Sequence, residues 1–288
     1  MLNGGKSPDQ QQIINAMTVD VEDYFHVSAF ENHIKKNQWE GLECRIERNI
    51  DRILDLYRQH NIKATFFTLG WVAERYPALI KTIAQDGHEI ACHSYWHRRV
   101  SSQTQSEFAE EIIDTKKLLE DLSGQEVIGY RAPSYSIGKE SLWAHEVLEK
   151  AGYRYSSSIY PISHDHYGIP DAPRFAYRPI ADSDFLEIPI TTSFLLNKKF
   201  PAGGGGYFRF FPYFFSRALL NRVNRTDQQP GIFYFHPWEI DPDQPRQCNI
   251  SLKTTFRHYL NLNHTEKRLA RLCSDFRWGR MDELFLSA

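Results

Sequence analysis

Short apolar runs recur along the first half of the chain, separated by segments in which apolar residues follow helical spacing. Such runs are typical of parallel strands buried on both faces, because these strands lack a polar side. The predicted strands cover residues 13–21, 63–69, 89–92, 127–130 and 153–158. The predicted helices between them cover residues 46–57, 71–85, 108–122 and 141–150. Strands that alternate with helices require parallel pairing and right-handed crossovers, so the pattern predicts an α/β fold.

The second half of the chain is less regular. Its predicted elements are a strand at 185–190, a helix at 214–223, a strand at 231–235 and a long helix at 252–276. Four consecutive glycines at 203–206 lack the Lys-Ser/Thr pair of a phosphate-binding loop, so they predict a close backbone approach near a pocket. We expect residues 1–12 to be a loose leader and residues 13–288 to form one domain. An aromatic-rich extension from about residue 190 to residue 288 would pack on it.

The composition narrows the class of protein. The 288 residues are 41% apolar, which allows a large core, and the length is ordinary for one α/β barrel. A net charge of −2 gives no electrostatic footprint for nucleic acid or an anionic membrane. No apolar run has the length of a secretory signal core or a transmembrane segment, so the expected compartment is the cytoplasm. Four cysteines without a CxxC pair are predicted to be reduced thiols: Cys44, Cys92, Cys248 and Cys273.

Polar residues follow four of the predicted strands. The first strand ends in an acidic run, the third in His93 and His97, the fourth in Arg131 and the late strand in His236. The acids of the first strand end are Asp20, Glu22 and Asp23. Because parallel strands direct their carboxyl ends to one face, these side chains should converge there.

Two histidines four residues apart suit one divalent metal. If a helix begins at Ser94, both imidazoles project from the same face. Two histidines and one carboxylate leave coordination positions open for water and substrate, as in catalytic metal sites. The bound metal lowers the pKa of water to about 7, a carboxylate can take its proton, and a histidine can protonate a leaving amine. This combination predicts a hydrolase of amides or esters.

Each of these features also has a structural explanation. Histidine pairs at this spacing occur on many protein surfaces, His236 could be a satisfied core residue, and Arg131 could belong to a structural ion pair. The aromatic residues between 207 and 235 are more typical of core and pocket wall than of a cofactor site. The joint placement of the polar residues at strand ends is what favours a catalytic function.

Four motifs together resemble the NodB-type polysaccharide deacetylases of carbohydrate esterase family 4. Thr18-Val19-Asp20-Val21-Glu22-Asp23 resembles the first motif of that family, and His93-Ser94-Tyr95-Trp96-His97 its H-[ST]-x-x-H metal motif. Arg131-Ala132-Pro133-Ser134 resembles the R-x-P motif, and Tyr234-Phe235-His236 the L-x-H motif. The stretches DVEDYF, GGGGYFR and FHPWE are similar to a subgroup encoded with exosortase-type exopolysaccharide loci.

The resemblance implies a distorted (β/α)7 barrel of the NodB-homology fold and metal-dependent removal of N-acetyl groups from sugar polymers. It implies that Asp20 is the general base, Arg131 its orienting partner and His236 the general acid. It further implies a divalent metal, in the first place Zn²⁺, on His93, His97 and one acid. The residues expected to form the oxyanion site and bind substrate are Ser134, Tyr135, Arg209 and Trp238.

Two positions depart from the family pattern. The usual first motif has adjacent aspartates, whereas Val21 follows Asp20 here, so the third metal ligand is Glu22 or Asp23. Glu22 shares a strand face with Asp20 if the strand stays regular, and Asp23 requires a turn. The family also has an aspartate that polarises the acid histidine. No clean match to that motif occurs, and the candidate substitutes are Asp182, Asp184 and Glu187.

The expected substrate is an N-acetylated polysaccharide or oligosaccharide, such as a bacterial exopolysaccharide or its lipid-linked precursor. An enzyme without a secretory signal would meet such a precursor at the inner membrane face. Two alternatives use the same scaffold: an amidohydrolase acting on a small or cyclic amide, and a catalytically inactive carbohydrate-binding protein. Intact acid, base and ligand candidates argue against the inactive protein.

Overall fold

The structure is a computed structural model that describes residues 13–165 and 167–286; the expected leader at 1–12 lies outside the described residues. The strands are β1 (Ile14–Val21), β2 (Thr65–Thr68), β3 (Glu89–Cys92), β4 (Gly129–Tyr130), β5 (Tyr155–Ser156), β6 (Leu186–Glu187), β7 (Thr192–Leu195), β8 (Lys198–Pro201), β9 (Ile232–Phe235) and β10 (Arg277–Gly279). The helices are α1 (Ile46–His60), α2 (Gly70–Arg75), α3 (Pro77–Gln85), α4 (Gln105–Ser123), α5 (Ala144–Lys150), α6 (Gly205–Phe210), α7 (Tyr213–Arg222), α8 (Leu252–Tyr259), α9 (Leu262–Asp275) and α10 (Met281–Phe285).

Seven parallel strands form one curled sheet around β1. Their order is β9-β1-β2-β3-β4-β5-β6, and β10 adds a further parallel pairing to the first residues of β1. Since β1 is buried along nearly its whole length, its near-continuous apolar run is the pattern that predicts a central parallel strand. Helices cover the outer face. This is the distorted (β/α)7 arrangement implied by the family resemblance, and that prediction is confirmed.

The helices begin and end where local chemistry directs. Thr104 caps α4 by accepting a hydrogen bond from the backbone N–H of Glu107, and Gly124 ends the helix in the left-handed conformation. The apolar face of α1 packs against α9 and the short 3₁₀ helix Pro237–Ile240. None of the helices formed by the described residues is both long and apolar enough to cross a membrane.

Two predicted helices are each divided in the structure. The helix expected at 71–85 breaks before Pro77, which lacks a backbone N–H and therefore starts α3 instead of continuing α2. The helix expected at 252–276 breaks at Asn261, whose φ of 57° is left-handed. The Asn261 side chain donates a hydrogen bond to the carbonyl of Arg209, so the break is fixed by a tertiary contact.

The glycine run brings the second half of the chain against β9. The backbone N–H of Tyr234 donates to the carbonyl of Gly203 at 2.7 Å. A Cβ atom on Gly204 would clash with the carbonyl oxygen of Tyr234, and its φ of 108° also suits glycine alone. The close backbone approach expected from the sequence is therefore present, and Gly206 lines the cavity described next.

Candidate active site

Two acids stand at the carboxyl end of β1. Asp20 and Glu22 are both buried, and the chain turns between them, with the N–H of Glu22 donating to the carbonyl of Asp20 at 2.9 Å. Arg131 follows β4 and donates from Nη1 to Oδ1 of Asp20 at 2.5 Å. The guanidinium is fully buried, lies 4.0 Å from the ring centroid of Phe67, and donates also to Ser157 and Thr18. It is therefore held firmly against Asp20.

His93 comes directly after β3 and is oriented by the neighbouring strand end. Its Nδ1 lies 2.8 Å from the carbonyl oxygen of Arg131, which leaves Nε2 as the nitrogen available to a ligand. Burial lowers the pKa of His93 to about 4, so the imidazole is neutral and able to bind a metal at neutral pH.

His97 is not on a helix, contrary to the geometry expected from a helix beginning at Ser94. Ser94 and His97 have φ values of 68° and 52°, so the chain loops back toward β1. Glu111 of α4 holds this loop: its Oε1 accepts from the Ser94 hydroxyl at 2.5 Å and from the Tyr95 N–H at 2.9 Å. The two imidazoles converge because of a tethered loop and not because of helical spacing.

Glu22, His93 and His97 form a group that could hold a metal ion. One ligand atom from each lies within 4.8 Å of the others. Nε2 of His97 lies 2.8 Å from Oε2 of Glu22, yet that oxygen is buried and has no hydrogen-bond partner among the described residues. Burial would raise the pKa of Glu22, but the nearby rings of His97, His236 and His93 outweigh burial and hold it well below its usual range. An ionised carboxylate beside two imidazoles is a donor set suited to Zn²⁺ or a similar ion.

Asp23 lies outside this group. Its Oδ1 accepts from the N–H of Tyr24 at 2.7 Å, and its Oδ2 accepts from the N–H of Arg45 just before α1. Its own N–H donates to Nδ1 of His26 at 2.8 Å. Of the two acids left open by the sequence, the structure brings Glu22 to the histidines and turns Asp23 toward backbone.

His236 follows β9 and faces both acids of β1. Its Nε2 lies 3.4 Å from Oε1 of Glu22 and 3.8 Å from Oδ2 of Asp20. Its Nδ1 lies 2.7 Å from Oε1 of Glu239, three residues further along the chain. Burial would lower the pKa of His236, but the carboxylates of Glu22, Glu239 and Asp20 raise it to about 9.

Glu239 is the acid that orients His236, and the sequence reasoning missed it. Its second oxygen accepts from Nε of Arg209 at 2.6 Å, and Arg209 donates also to the carbonyls of His258 and Leu260. Burial would raise the pKa of Glu239, but Arg209 and His236 lower it to about 2. The H-x-x-E spacing in FHPWE was the available signal, since the Pro237–Ile240 turn returns the carboxylate to the histidine.

The three acids named as substitutes for that partner lie elsewhere. Glu187 lies 3.1 Å from Nε2 of His145, a different buried histidine. Asp184 pairs with Arg178 at the surface, and Asp182 is exposed. Expecting one of them beside His236 was wrong, because Glu187 is held by His145, Asp184 by Arg178, and Asp182 is exposed at the surface.

A cavity of about 210 Å³ at the carboxyl end of the sheet is lined by six of these polar residues: Asp20, Glu22, His93, His97, His236 and Glu239. Ser134 and Tyr135 form part of its wall with φ values of 54° and 50°, and the Ser134 hydroxyl lies 2.5 Å from that of Ser28. Trp238 stacks between His236 and His258, with ring centroids 5.3 and 4.2 Å away. Ser134, Tyr135, Arg209 and Trp238 all border the cavity, although the guanidinium of Arg209 is directed at Glu239.

Two family models match consecutive parts of the chain. Residues 40–156 match the model described as polysaccharide deacetylase, and residues 157–286 match a domain of unknown function, DUF3473. A peptidoglycan-N-acetylglucosamine deacetylase of Bacillus cereus is 41% identical over 96 residues, 33% of this chain and 35% of that protein. A peptidoglycan deacetylase of Helicobacter pylori is 29% identical over 113 residues, 39% of this chain and 38% of that protein. The chain thus spans little more than a third of either relative.

Solved structures agree on the fold. A Mycobacterium smegmatis protein described as a polysaccharide deacetylase superposes with a TM-score of 0.63 at 17% identity, covering 98% of this chain and 92% of its own. An allantoinase, PuuE, superposes with a TM-score of 0.53 at 15% identity, covering 83% and 71%. At these identities the likeness concerns the fold alone. Together with the matched motifs, these findings show that residues 40–156 belong to the polysaccharide deacetylase family and that residues 157–286 form a DUF3473 region.

Proposed function

We propose that this protein is a metal-dependent hydrolase that removes N-acetyl groups from the amino sugars of a glycan. The observation that carries the proposal is the arrangement around Glu22. Two imidazoles lie close to its carboxylate, and the cavity beside them is bordered by Asp20, which Arg131 supports from the protein interior, and by the pair His236–Glu239. A metal group with an acid and a base beside it is what amide hydrolysis requires.

Glu22, His93 and His97 would hold the metal, with Zn²⁺ the first candidate because all three donors suit it. The 2.8 Å approach of Oε2 of Glu22 to Nε2 of His97 supports this assignment, since it brings two ligand-type atoms together inside the protein beside His93. When bound, a divalent ion would polarise the amide carbonyl and lower the pKa of water.

Asp20 is proposed as the general base. The ion pair with Arg131 directs Oδ1 away from solvent and leaves Oδ2 on the side of His236 and the cavity. Asp20 takes the proton of the attacking water at this oxygen. Arg131 keeps the carboxylate in position through a charge-assisted hydrogen bond.

His236 is proposed as the general acid. Glu239 accepts the hydrogen bond from Nδ1–H, which fixes the ring so that Nε2 faces the cavity. His236 then donates its Nε2 proton to the nitrogen of the departing amino sugar. Arg209 acts through Glu239 as a positioning residue, and the loop at Ser134 and Tyr135 is assigned to the carbonyl oxygen and its substituents.

The substrate class is an N-acetylated polysaccharide or oligosaccharide. Curated relatives named for peptidoglycan and N-acetylglucosamine support the amino sugar, and the DVEDYF and FHPWE stretches favour an exopolysaccharide or its lipid-linked precursor. We further propose that the enzyme acts at the inner face of the membrane, where such a precursor is assembled.

Acetate release tests the proposal. The purified protein, loaded with one equivalent of Zn²⁺, is incubated with N-acetylated chito-oligosaccharide, and free acetate and free amine are measured together. We expect both products in equal amounts with the wild-type protein and strong loss of both with Asp20→Asn. Sugar binding without acetate release by the metal-loaded protein would favour a carbohydrate-binding function instead.

A further inference from the structure

A second cavity, larger than the first, opens beside the metal group. Its volume is about 410 Å³, and it lies between the loop after β1 and the loop after β3. Val27, Ser28 and His97 border both cavities, so the two spaces share a wall at one of the proposed metal ligands. A glycan held at the metal could therefore extend into the second space, which we call the basic cavity.

One face of the basic cavity is aromatic. Trp96 immediately precedes His97, and 37% of its surface is exposed. Its ring lies 6.1 Å from that of Trp39, which is buried and supports it from behind. An indole held in this way offers a flat apolar surface on which a sugar ring can stack, next to the reacting sugar.

The charged residues of the lining are mainly cationic. Four of the residues that border the basic cavity are positively charged and one, Glu31, is negatively charged; the cations are Lys35, Lys36, Arg98 and Arg99. Arg99 pairs with Glu31 at 3.2 Å, and Arg98 is 3.4 Å from Glu107, which does not border the cavity.

Lys36 is the cation best placed to meet a ligand. Its Nζ lies 5.8 Å from the ring centroid of Trp96, and no carboxylate among the described residues comes within 4.0 Å of it. Glu111 attracts Lys36 from further away, but its Oε1 already accepts hydrogen bonds from the loop that carries His97. The positive charge of Lys36 is thus available beside the exposed indole.

We propose that the basic cavity binds the sugar adjoining the one that is deacetylated, and that this sugar carries an anionic group, a carboxylate or a phosphate. The inference rests on the proposed function for the existence of an N-acetylated glycan at the metal. It adds that the polymer is acidic, with its negative charge recognised by Lys36 and the neighbouring cations while Trp96 stacks on the ring. A neutral chitin-like strand makes no use of this charge.

Matched oligosaccharides test the inference. The probes are a tetrasaccharide in which N-acetylglucosamine alternates with glucuronate, the same tetrasaccharide with its carboxyl groups reduced to alcohols, and a chitotetraose carrying one 6-phosphate. Binding is measured by tryptophan fluorescence and calorimetry, and acetate release by kcat/KM. Exposed ion pairs contribute modestly, so we expect an overall preference of about 5- to 20-fold for an anionic over the reduced probe.

Lys36→Gln and Lys35→Gln/Lys36→Gln should each reduce that preference, by about 2- to 5-fold for each cation, and added salt should reduce it in the wild type. Lys81→Gln, an exposed lysine on α3, is the control for the change in net charge and should leave the preference unaltered. Trp96→Ala should weaken binding of charged and neutral probes equally.

The outcomes separate the two proposals. A preference for glucuronate or for phosphate that Lys36→Gln lowers supports the inference and identifies the anion. Equal kcat/KM and equal binding of the anionic and reduced probes would overturn the acidic-glycan inference while leaving the deacetylase intact. Charge-selective binding with no acetate release would support the recognition of an anionic sugar by the basic cavity and overturn the proposed function.

Discussion

Outside the metal group, the described residues include two histidine–glutamate pairs of nearly the same chemistry. His145 lies 3.1 Å from Glu187, and His236 lies 2.7 Å from Glu239. His145 lies on α5 and His236 directly after β9, and all four side chains are largely removed from water. What differs is the surroundings of each pair, and that difference separates a structural contact from a catalytic candidate.

In the first pair, the remaining interactions are with backbone. The second carboxylate oxygen of Glu187 accepts from the N–H groups of Ser158 and Ile159 at 2.9 and 2.8 Å, and so holds the chain after β5 against β6. In the second pair, the remaining interactions are with charge: Arg209 supports Glu239, and the free nitrogen of His236 meets Asp20 and Glu22 across the cavity. His236 is a candidate proton donor because its Nε2 faces the cavity, whereas its Nδ1 is held by Glu239.

The largest expected effect comes from removing the two proposed metal ligands that lie near the His236–Glu239 pair. His93→Ala/His97→Ala should lose bound Zn²⁺ and all measurable acetate release, since one carboxylate alone cannot retain the ion. Metal content after dialysis is measured by mass spectrometry. His33→Ala, at an exposed position, is the control. Stoichiometric zinc in the double variant would show that the metal is held elsewhere.

Asp20→Asn should lower kcat/KM by about 10²–10⁴-fold, the usual cost of a lost general base, while zinc is retained. Retention is expected because the three proposed ligands are other residues. The measurements are acetate release and metal content on the same sample. Loss of zinc along with activity would mean that Asp20 is itself a ligand, and unchanged activity would remove it from the mechanism.

A smaller effect concerns Glu239, whose contribution to the stability of the fold should depend on pH. The pKa of Glu239 is lowered from 4.5 to about 2, so its ionised form stabilises the fold above pH 4.5, and this contribution is lost as the pH falls toward 2. Glu239→Gln should therefore be less stable than wild type at neutral pH, by about 3 kcal/mol at most, with the difference narrowing below pH 4.5. Chemical denaturation at several pH values measures this.

Glu187→Gln sharpens that comparison. It should also cost stability, because two backbone N–H groups lose a charged acceptor, but the specific activity of the folded protein should stay near wild type. Glu239→Gln should in addition lower turnover of an N-acetyl sugar. Equal effects of the two substitutions on turnover per folded molecule would count against a special role for Glu239.

Much of this site could be predicted from strand ends alone. Asp20, His93, Arg131 and His236 each follow an apolar run, and parallel strands bring their carboxyl ends together. The same pattern predicted the α/β class and the central position of β1. These features depend only on the order of strands and helices along the chain, and the spacing of apolar residues predicts that order.

What the sequence could not supply depends on loop conformation. Glu22 and Asp23 are adjacent, and only the turn after Asp20 sends one carboxylate to the histidines and the other to the start of α1. Likewise the convergence of His93 and His97 depends on Glu111, which lies fourteen residues beyond His97 on a separate helix. Glu239 reaches His236 through a 3₁₀ turn that apolar periodicity does not reveal.

The most direct test of the account compares His236→Ala with His145→Ala on two substrates, an N-acetylated chito-oligosaccharide and an activated aryl acetate. The amide needs a protonated leaving group and the aryl ester does not, so a missing acid should affect them unequally. We expect His236→Ala to lose about 10²–10⁴-fold on the amide and far less on the ester, and folded His145→Ala to keep the wild-type ratio. An equal loss on both substrates in His236→Ala, or wild-type amide turnover, would contradict the role given to His236.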